Sequence, residues 1–404
     1  MAGSEAAKAL LGRLRVLREA AGISEEELEQ RLILGPGWVR RFESGATIPS
    51  VDVLLAMLGE VGADLTELAR DLDFTELEQE VVRQVDGVAE GDDLLIKFKY
   101  AKHDAVYRLP RASSEEFGQV IGVLRNGLAR LVAVGDDDDG EKKAIKADAV
   151  ARTFLEAVRL WPHANPSDLW WFLVSRAFCD GFNHPAEFAR LDLGQSWKRT
   201  SGWALEEVVV RHYGPFLAER GIEIVIASGA RKAELVAQLV TDERMESDKA
   251  DVLLVGKRSG EDVCFGVVHV KASFAERRTD DVPMSRALIQ AGFTSPLWTM
   301  DCKSTPSEQP DNSGELGAPL IEGTDGRSAK RRDIEDDGYF SACFSYNANT
   351  RPTPSEQTAT GRIHVCSFTN PDDAFSKFVL AEWARFCREK WDLNGDVGEA
   401  FIRG

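Results

Sequence analysis

The chain has 404 residues, a formal net charge of -18, 43% hydrophobic and 29% charged residues. That length exceeds one ordinary core, so two or three folded units are expected, and no apolar run approaches the ~20 residues of a membrane-spanning helix. The acidic excess argues against nonspecific coating of nucleic acid, which draws on phosphate neutralisation by Lys and Arg, so any contact with DNA has to be local. The start MAGSEAAKAL lacks the basic start and the apolar core of a secretion signal, and the cysteines stand singly with no zinc-site spacing. A cytoplasmic location and no membrane partner are the expectation.

Residues 7 to 70 read as short helices with clear punctuation. Leu11, Leu14 and Leu17 recur at helical spacing, and Ala20-Ala21-Gly22 closes that helix. Ser24 and Glu27 form a capping box for a second helix that buries Leu28 and Leu32. A third is entered through Gly35-Pro36, carries Trp38, Val39, Arg40, Arg41 and Phe42, and stops at Gly45. Pro49-Ser50 opens a fourth with Val51, Leu54, Leu55 and Leu58 inward, Gly62 ends it, and Asp64 with Glu67 caps a fifth.

Segment 71–135 is expected to be a small α+β extension. LLIKFKY and AVYRL form a hairpin around Ala101 to Asp104, and an amphipathic helix runs from Glu115 to about Leu131. Residues 136–146, with the run Asp136 to Asp139, read as an acidic linker. From 147 to 404 the pattern is one long α/β unit. Helices at 147–160, 167–180 and 202–220 lead to a strand at Ile222 to Ile226, a helix near 229–239 and a β-hairpin. A helix near 282–292, the strand PLWTMD, a loop at 303–332, strands near 339–346 and 361–368 and a final helix from 371 follow. Trp161, Trp170 and Trp171 are assigned to the core.

In the first unit, the third helix with its exposed arginines is the kind of element that enters a major groove, and Arg40 and Arg41 are best placed to reach bases or phosphates. LREAAGISEEELEQRL, GWVRRFESG and PSVDVLLAM together resemble the helix-turn-helix family of phage-repressor (XRE) type over about residues 9–70. The resemblance implies that the helix from Pro36 to Phe42 reads DNA. The segment 1–70 holds eight Lys or Arg against eleven Asp or Glu, so modest affinity and binding as a dimer are expected.

The stretch SDKADVLLVGKRSGEDVCFGVVHVKAS carries the chemistry. If the hairpin turns at Ser259-Gly260, paired positions sum to about 519, which brings Asp251 near Lys271 across the ladder. Period-2 alternation places Phe265, Val267, His269 and Lys271 on one face, so His269 lies beside the same site. Phosphodiester hydrolysis needs a metal, acids to hold it and a group that orients water. Asp251 can hold magnesium together with the backbone carbonyl of Val270, and Lys271 can orient the attacking water.

This arrangement resembles the PD-(D/E)XK nucleases, although here the third motif reads His269-Val270-Lys271 and lacks its acid. That superfamily often takes an acid from an upstream helix, which nominates Glu206 as a further catalytic and metal-binding residue, with Glu207 as its neighbour. Glu276, Asp280 and Asp281 are possible substitutes for the missing acid. HVKASFAERRTDDVPMSRAL, preceded by QSWKRTSGWALEE and followed by SPLWTMDCKS, is similar to restriction endonucleases of the BsaWI type over about residues 147–390. The resemblance implies a restriction-endonuclease-like fold with a central mixed sheet and a CCGG-containing palindrome as the double-stranded DNA target. It assigns Arg277, Arg278, Asp280 and Asp281 to the major groove, because Arg suits guanine and Asp the cytosine amino group. It also implies a homodimer or higher homo-oligomer and a separately encoded cognate DNA methyltransferase. The basic loop GRSAKRRD, with Arg327, Lys330, Arg331 and Arg332, is a candidate phosphate clamp. The rival reading is a transcription regulator with a non-catalytic α/β sensor domain, favoured by His269 in the acid's place; a repair or junction nuclease is a third.

Overall fold

The computed structural model describes residues 5–44, 46–47, 49–69, 85–100, 103–134, 138–179, 193–241, 250–273, 278–302, 312–320 and 325–391. Two compact units are present, the described parts of the first being residues 5–69 and those of the second beginning at Val85. Among the described residues no helix is long and apolar enough to cross a membrane.

The first unit has five helices: α1 (Glu5–Ala20), α2 (Glu25–Arg31), α3 (Trp38–Glu43), α4 (Val51–Val61) and α5 (Leu65–Ala69). Their core is Leu14, Leu28, Val39, Phe42, Met57, Leu58 and Leu68. The caps expected from sequence form. Ser24 Oγ accepts from Glu27 N at 3.1 Å, and Asp64 and Glu67 cap α5 reciprocally. Two details differ. Gly37 has φ +75°, a left-handed conformation outside the helical range, so α3 starts at Trp38 and Pro36 lies in the preceding turn. Leu55 faces solvent and Met57 takes the inward position on α4.

The second unit opens with an antiparallel sheet, β1 (Val85–Glu90), β2 (Asp93–Tyr100) and β3 (His103–Leu109), followed by α6 (Ser114–Ala129). Strand β1 was not anticipated. Leu94, Ile96, Tyr107, Val120 and Leu124 join the same core as Phe154, Val208 and Val252, so this segment packs as part of the α/β unit. The supposed linker is largely helical: Asp138 caps α7 (Asp139–Leu160) by accepting from Glu141 N at 2.9 Å. Acids that look unable to pack instead complement the positive end of a helix.

Next come α8 (Pro166–Cys179), α9 (Leu193–Ala218), β4 (Ile222–Val225), α10 (Gly229–Ala237), β5 (Val252–Arg258), β6 (Glu261–Lys271), α11 (Arg278–Gln290), β7 (Leu297–Thr299), α12 (Ala329–Glu335), β8 (Cys343–Ser345), β9 (Ile363–Val365) and α13 (Ala374–Trp391). The six strands form a mixed sheet in sequential order, antiparallel from β4 to β6 and parallel from β6 to β9. Leu297, Cys343 and Ile363 pack with Val282 of α11 and Ile334 of α12. Phe344, in the alternate row, packs on Phe375 and Phe378 of α13. Trp161 and Trp170 are buried in the main core, and Trp171 packs half-buried against it.

Candidate active site

The β5–β6 hairpin sets the site. Ser259 and Gly260 both have positive φ, the twist of a two-residue type I′ turn, and Arg258 pairs with Glu261. A bulge between Leu254 and Val255 then shifts the register by one, and the last rung is Val252 opposite Val268. Asp251 therefore sits just beyond the ladder, where its Oδ2 accepts from Val270 N at 3.0 Å and from Lys271 Nζ at 2.5 Å. Because N–H and C=O of one residue leave a strand on the same side, the Val270 carbonyl projects toward Asp251 beyond that rung. The bulge also corrects the expected face: Phe265 packs on Trp383 and Phe386 of α13, whereas His269 packs on Phe340 and Ser295.

Glu206 belongs to the same cluster. Burial, and then the Asp251 charge, push its carboxyl up to about 8. Glu207 is committed elsewhere, ion-paired at 3.0 Å with Arg211, which also holds Asp148 on α7. The chemistry thus separates the two neighbouring acids of the helix.

His269 is fully buried. Its Nε2 lies 2.9 Å from Ser295 Oγ, and its Nδ1, with no hydrogen-bond partner among the described residues, faces Asp281 Oδ1 at 3.8 Å. So enclosed, it presents no face to a metal or substrate in this structure, against the direct catalytic role expected from sequence. Asp281 is itself buried, with Oδ2 3.5 Å from Lys271 Nζ. Burial opposes its ionisation, but the His269 ring and the Lys271 ammonium prevail and hold the carboxyl below its usual value. Its side chain is turned inward to Lys271 and not outward, against the base-reading role expected from sequence. Arg278 and Asp280 lie in the first turn of α11, and Arg277 and Glu276 lie outside the described residues.

The basic loop is spent internally. Arg331 is fully buried and bonds to Glu335 and to the carbonyls of Leu316, Gly317 and Arg351, so it is no phosphate clamp. Arg327 pairs with Asp325 and Asp336, and Lys330 with Glu315. Arg332, 4.0 Å from Asp325, keeps about half its side chain exposed. Sequence reading did not single out the acids that quench this cluster, although Asp325, Glu335 and Asp336 flank it closely in the chain. In the first unit Arg40 is exposed and paired with Glu25, and Arg41 lies over the Trp38 ring at 4.5 Å. A buried bidentate pair, Arg18 with Glu43, and the Glu29 carboxylate on Val39 N at 3.0 Å fix α3; neither was foreseen.

Carboxylates beside a lysine, at the end of a hairpin in a mixed sheet flanked by helices, are the arrangement of an α/β nuclease site, here in a unit preceded by a helical domain. A family model described as a helix-turn-helix domain matches residues 9–70. The type II restriction enzyme AgeI of Thalassovita gelatinovora is 39% identical over 245 residues, spanning 59% of this chain and 84% of AgeI. The crystal structure of a specific AgeI–DNA complex aligns with TM-score 0.58 and 32% identity over 71% of this chain and 99% of that one. A pre-specific BsaWI–DNA complex aligns with TM-score 0.34 and 17% identity, over 68% of this chain and 96% of that one.

The chain belongs to the AgeI family of type II restriction enzymes and is a site-specific DNA endonuclease carrying an amino-terminal helix-turn-helix domain. That membership sets aside the reading as a regulator with a non-catalytic sensor domain.

Proposed function

We propose that this endonuclease uses magnesium to cut a CCGG-containing palindrome, working as a homodimer or larger assembly so that two sites face two strands. The observation that carries the catalytic assignment is the contact of Asp251 with Lys271 beyond the last rung of the hairpin, with Glu206 of α9 within reach of both charges. Family membership implies a divalent cation in general terms. Among the described residues no three His, Cys, Asp or Glu side chains form a ready metal cage. The donor set that fits is two acids, Asp251 and Glu206, with the Val270 carbonyl; hard oxygen donors of this kind suit magnesium. Burial, and then the Asp251 charge, raise Glu206, and a cation between the two acids would relieve both. When bound, the ion would neutralise charge developing on the phosphate and favour deprotonation of a water.

The side chains have separate tasks. Lys271 orients the attacking water and offers its positive charge to the phosphate. Asp281, held by burial beside His269, keeps the Lys271 ammonium in place as Asp251 takes up the cation. Arg277, Arg278 and Asp280 read the major groove, and Arg332 contacts backbone phosphate. A separately encoded methyltransferase protects the host's sites. In the first unit, α3 carries Trp38, Arg40 and Arg41 at its surface and binds a second DNA element, the enzyme's own promoter region.

The test is incubation of wild type and Lys271→Ala with methyl-free plasmid and magnesium, followed by sequencing of the ends. Discrete fragments from wild type alone support the reading and give the site; uncut DNA across metals and salts overturns it. For the first unit, magnesium-free binding of full-length Lys271→Ala to the upstream region is compared with random duplex, and equal affinity removes the promoter assignment.

A further inference from the structure

Beside Lys271, two more ammonium groups act on the carboxyl of Glu206, namely those of Lys143 and Lys232. Lys232, on α10, donates from Nζ to the carbonyl of Ala250 at 2.8 Å, the residue before Asp251. Lys143, on α7, holds its Nζ 3.5 Å from the centroid of the Trp203 ring. Trp203 lies one turn before Glu206 on α9, so the indole and the acid share a helix face. Lys143 enters no ion pair among the described residues, and the residue remains exposed.

We propose that Lys143, seated on Trp203, is a phosphate-binding residue of the nuclease site that takes a non-bridging oxygen of the DNA backbone beside the scissile phosphodiester. The inference rests on Glu206, Asp251 and Lys271 being that site. An aromatic face attracts an ammonium without consuming its N–H donors, so a lysine held this way keeps its donors for an incoming anion. A carboxylate partner would have quenched it, as happens to Lys330 with Glu315. Burial disfavours the Lys143 charge and the Glu206 carboxylate, acting at longer range, favours it, so the ammonium sits within the electrostatic reach of the site.

The experiment measures kcat and KM of full-length wild type, Lys143→Gln, Lys143→Arg, Trp203→Leu and Lys271→Ala on a duplex bearing the mapped cleavage site, over a salt series. Lys257→Gln serves as a control, because Lys257 is paired with Asp262 near the hairpin turn. Loss of one phosphate contact should weaken the slope of log KM against log salt by about 1 in Lys143→Gln, with KM raised roughly tenfold and kcat nearly kept. Lys143→Arg should recover most of the loss, Trp203→Leu should fall between, and Lys257→Gln should match wild type. Wild-type KM and salt slope in Lys143→Gln, with only the magnesium requirement changed, would overturn the proposal and leave Lys143 as an electrostatic neighbour of Glu206. Cleavage by Lys271→Ala would instead bring down the site assignment, so the two failures are distinguishable.

Discussion

Asp281 Oδ2 lies 3.5 Å from the Lys271 ammonium, which ties the first turn of α11 to the last residue of β6. An acid from a helix thereby faces the lysine whose own strand carries His269 where an acid would be expected. Asp281→Asn is expected to lower single-turnover cleavage by about 10²–10³-fold on the cognate duplex, with little change in preference among mismatched sites. A variant that cuts at the normal rate but accepts new sequences would return Asp281 to the major groove. His269→Gln, which disturbs Asp281's support along with the Ser295 and Phe340 contacts, should cost about tenfold or somewhat more.

Glu206 and Glu207 are adjacent on α9 and differ in partners, which makes them a paired test. Glu206→Gln removes the acid that shares charge with Asp251 and should reduce kcat by at least about 10²-fold while raising the magnesium needed for half-maximal rate. Glu207→Gln loses a partly exposed ion pair with Arg211 and should change stability by only about 0–1 kcal/mol, with cleavage preserved. Metal titration of the two variants side by side gives the answer, and equal effects would refute the distinction.

Arg331 and Glu335 form an ion pair whose side chains are both fully buried. Removing one partner strands the other charge, at a cost of about 3–5 kcal/mol. Arg331→Ala should therefore lower the melting temperature by roughly 5–15 °C, while the salt slope of DNA binding, measured well below that transition, stays at the wild-type value. A normally stable Arg331→Ala with a weakened slope would restore the phosphate-clamp reading.

His212 has a buried Nε2 without a hydrogen-bond partner among the described residues and sits edge-on to Tyr213 and Phe368; burial pushes its pKa down to about 4. Below about pH 6.5 the unfolded chain takes up this proton and the folded one does not, so the unfolded state gains stability as pH falls. The contribution is lost progressively between about pH 6.5 and 4, on the order of 2–3 kcal/mol in all. His212→Phe should flatten that part of the stability curve, as read by denaturant titration at pH 7 and pH 5. An unchanged difference between the two pH values would place the acid sensitivity elsewhere.

Much of the catalytic hairpin was legible because its determinants are local. Alternating apolar residues around Ser259-Gly260 fix two strands and a turn, and the turn fixes the register to within one residue. Capping pairs made the first unit readable for the same reason: Ser24 with Glu27, and Asp64 with Glu67, act over three residues. The bulge at Leu254/Val255 was not legible, since no residue type there demands it, yet it decides which face Phe265 takes and where Asp251 ends up. Nor could spacing separate Glu206 from Glu207.

What the sequence by itself determined is the set of elements and the chemistry they carry: a helix-turn-helix domain, a mixed-sheet nuclease unit, and an acid and a lysine flanking one hairpin. Only the tertiary structure decided which charges remain available. Arg331 and Asp281 look alike in a sequence, each a charge in a polar run, but one is consumed by loop carbonyls and Glu335 while the other is turned toward Lys271. The reason is physical: a charge is neutralised by whatever lies within a few ångströms in space, and the fold decides which of its neighbours, near or distant in the chain, those are.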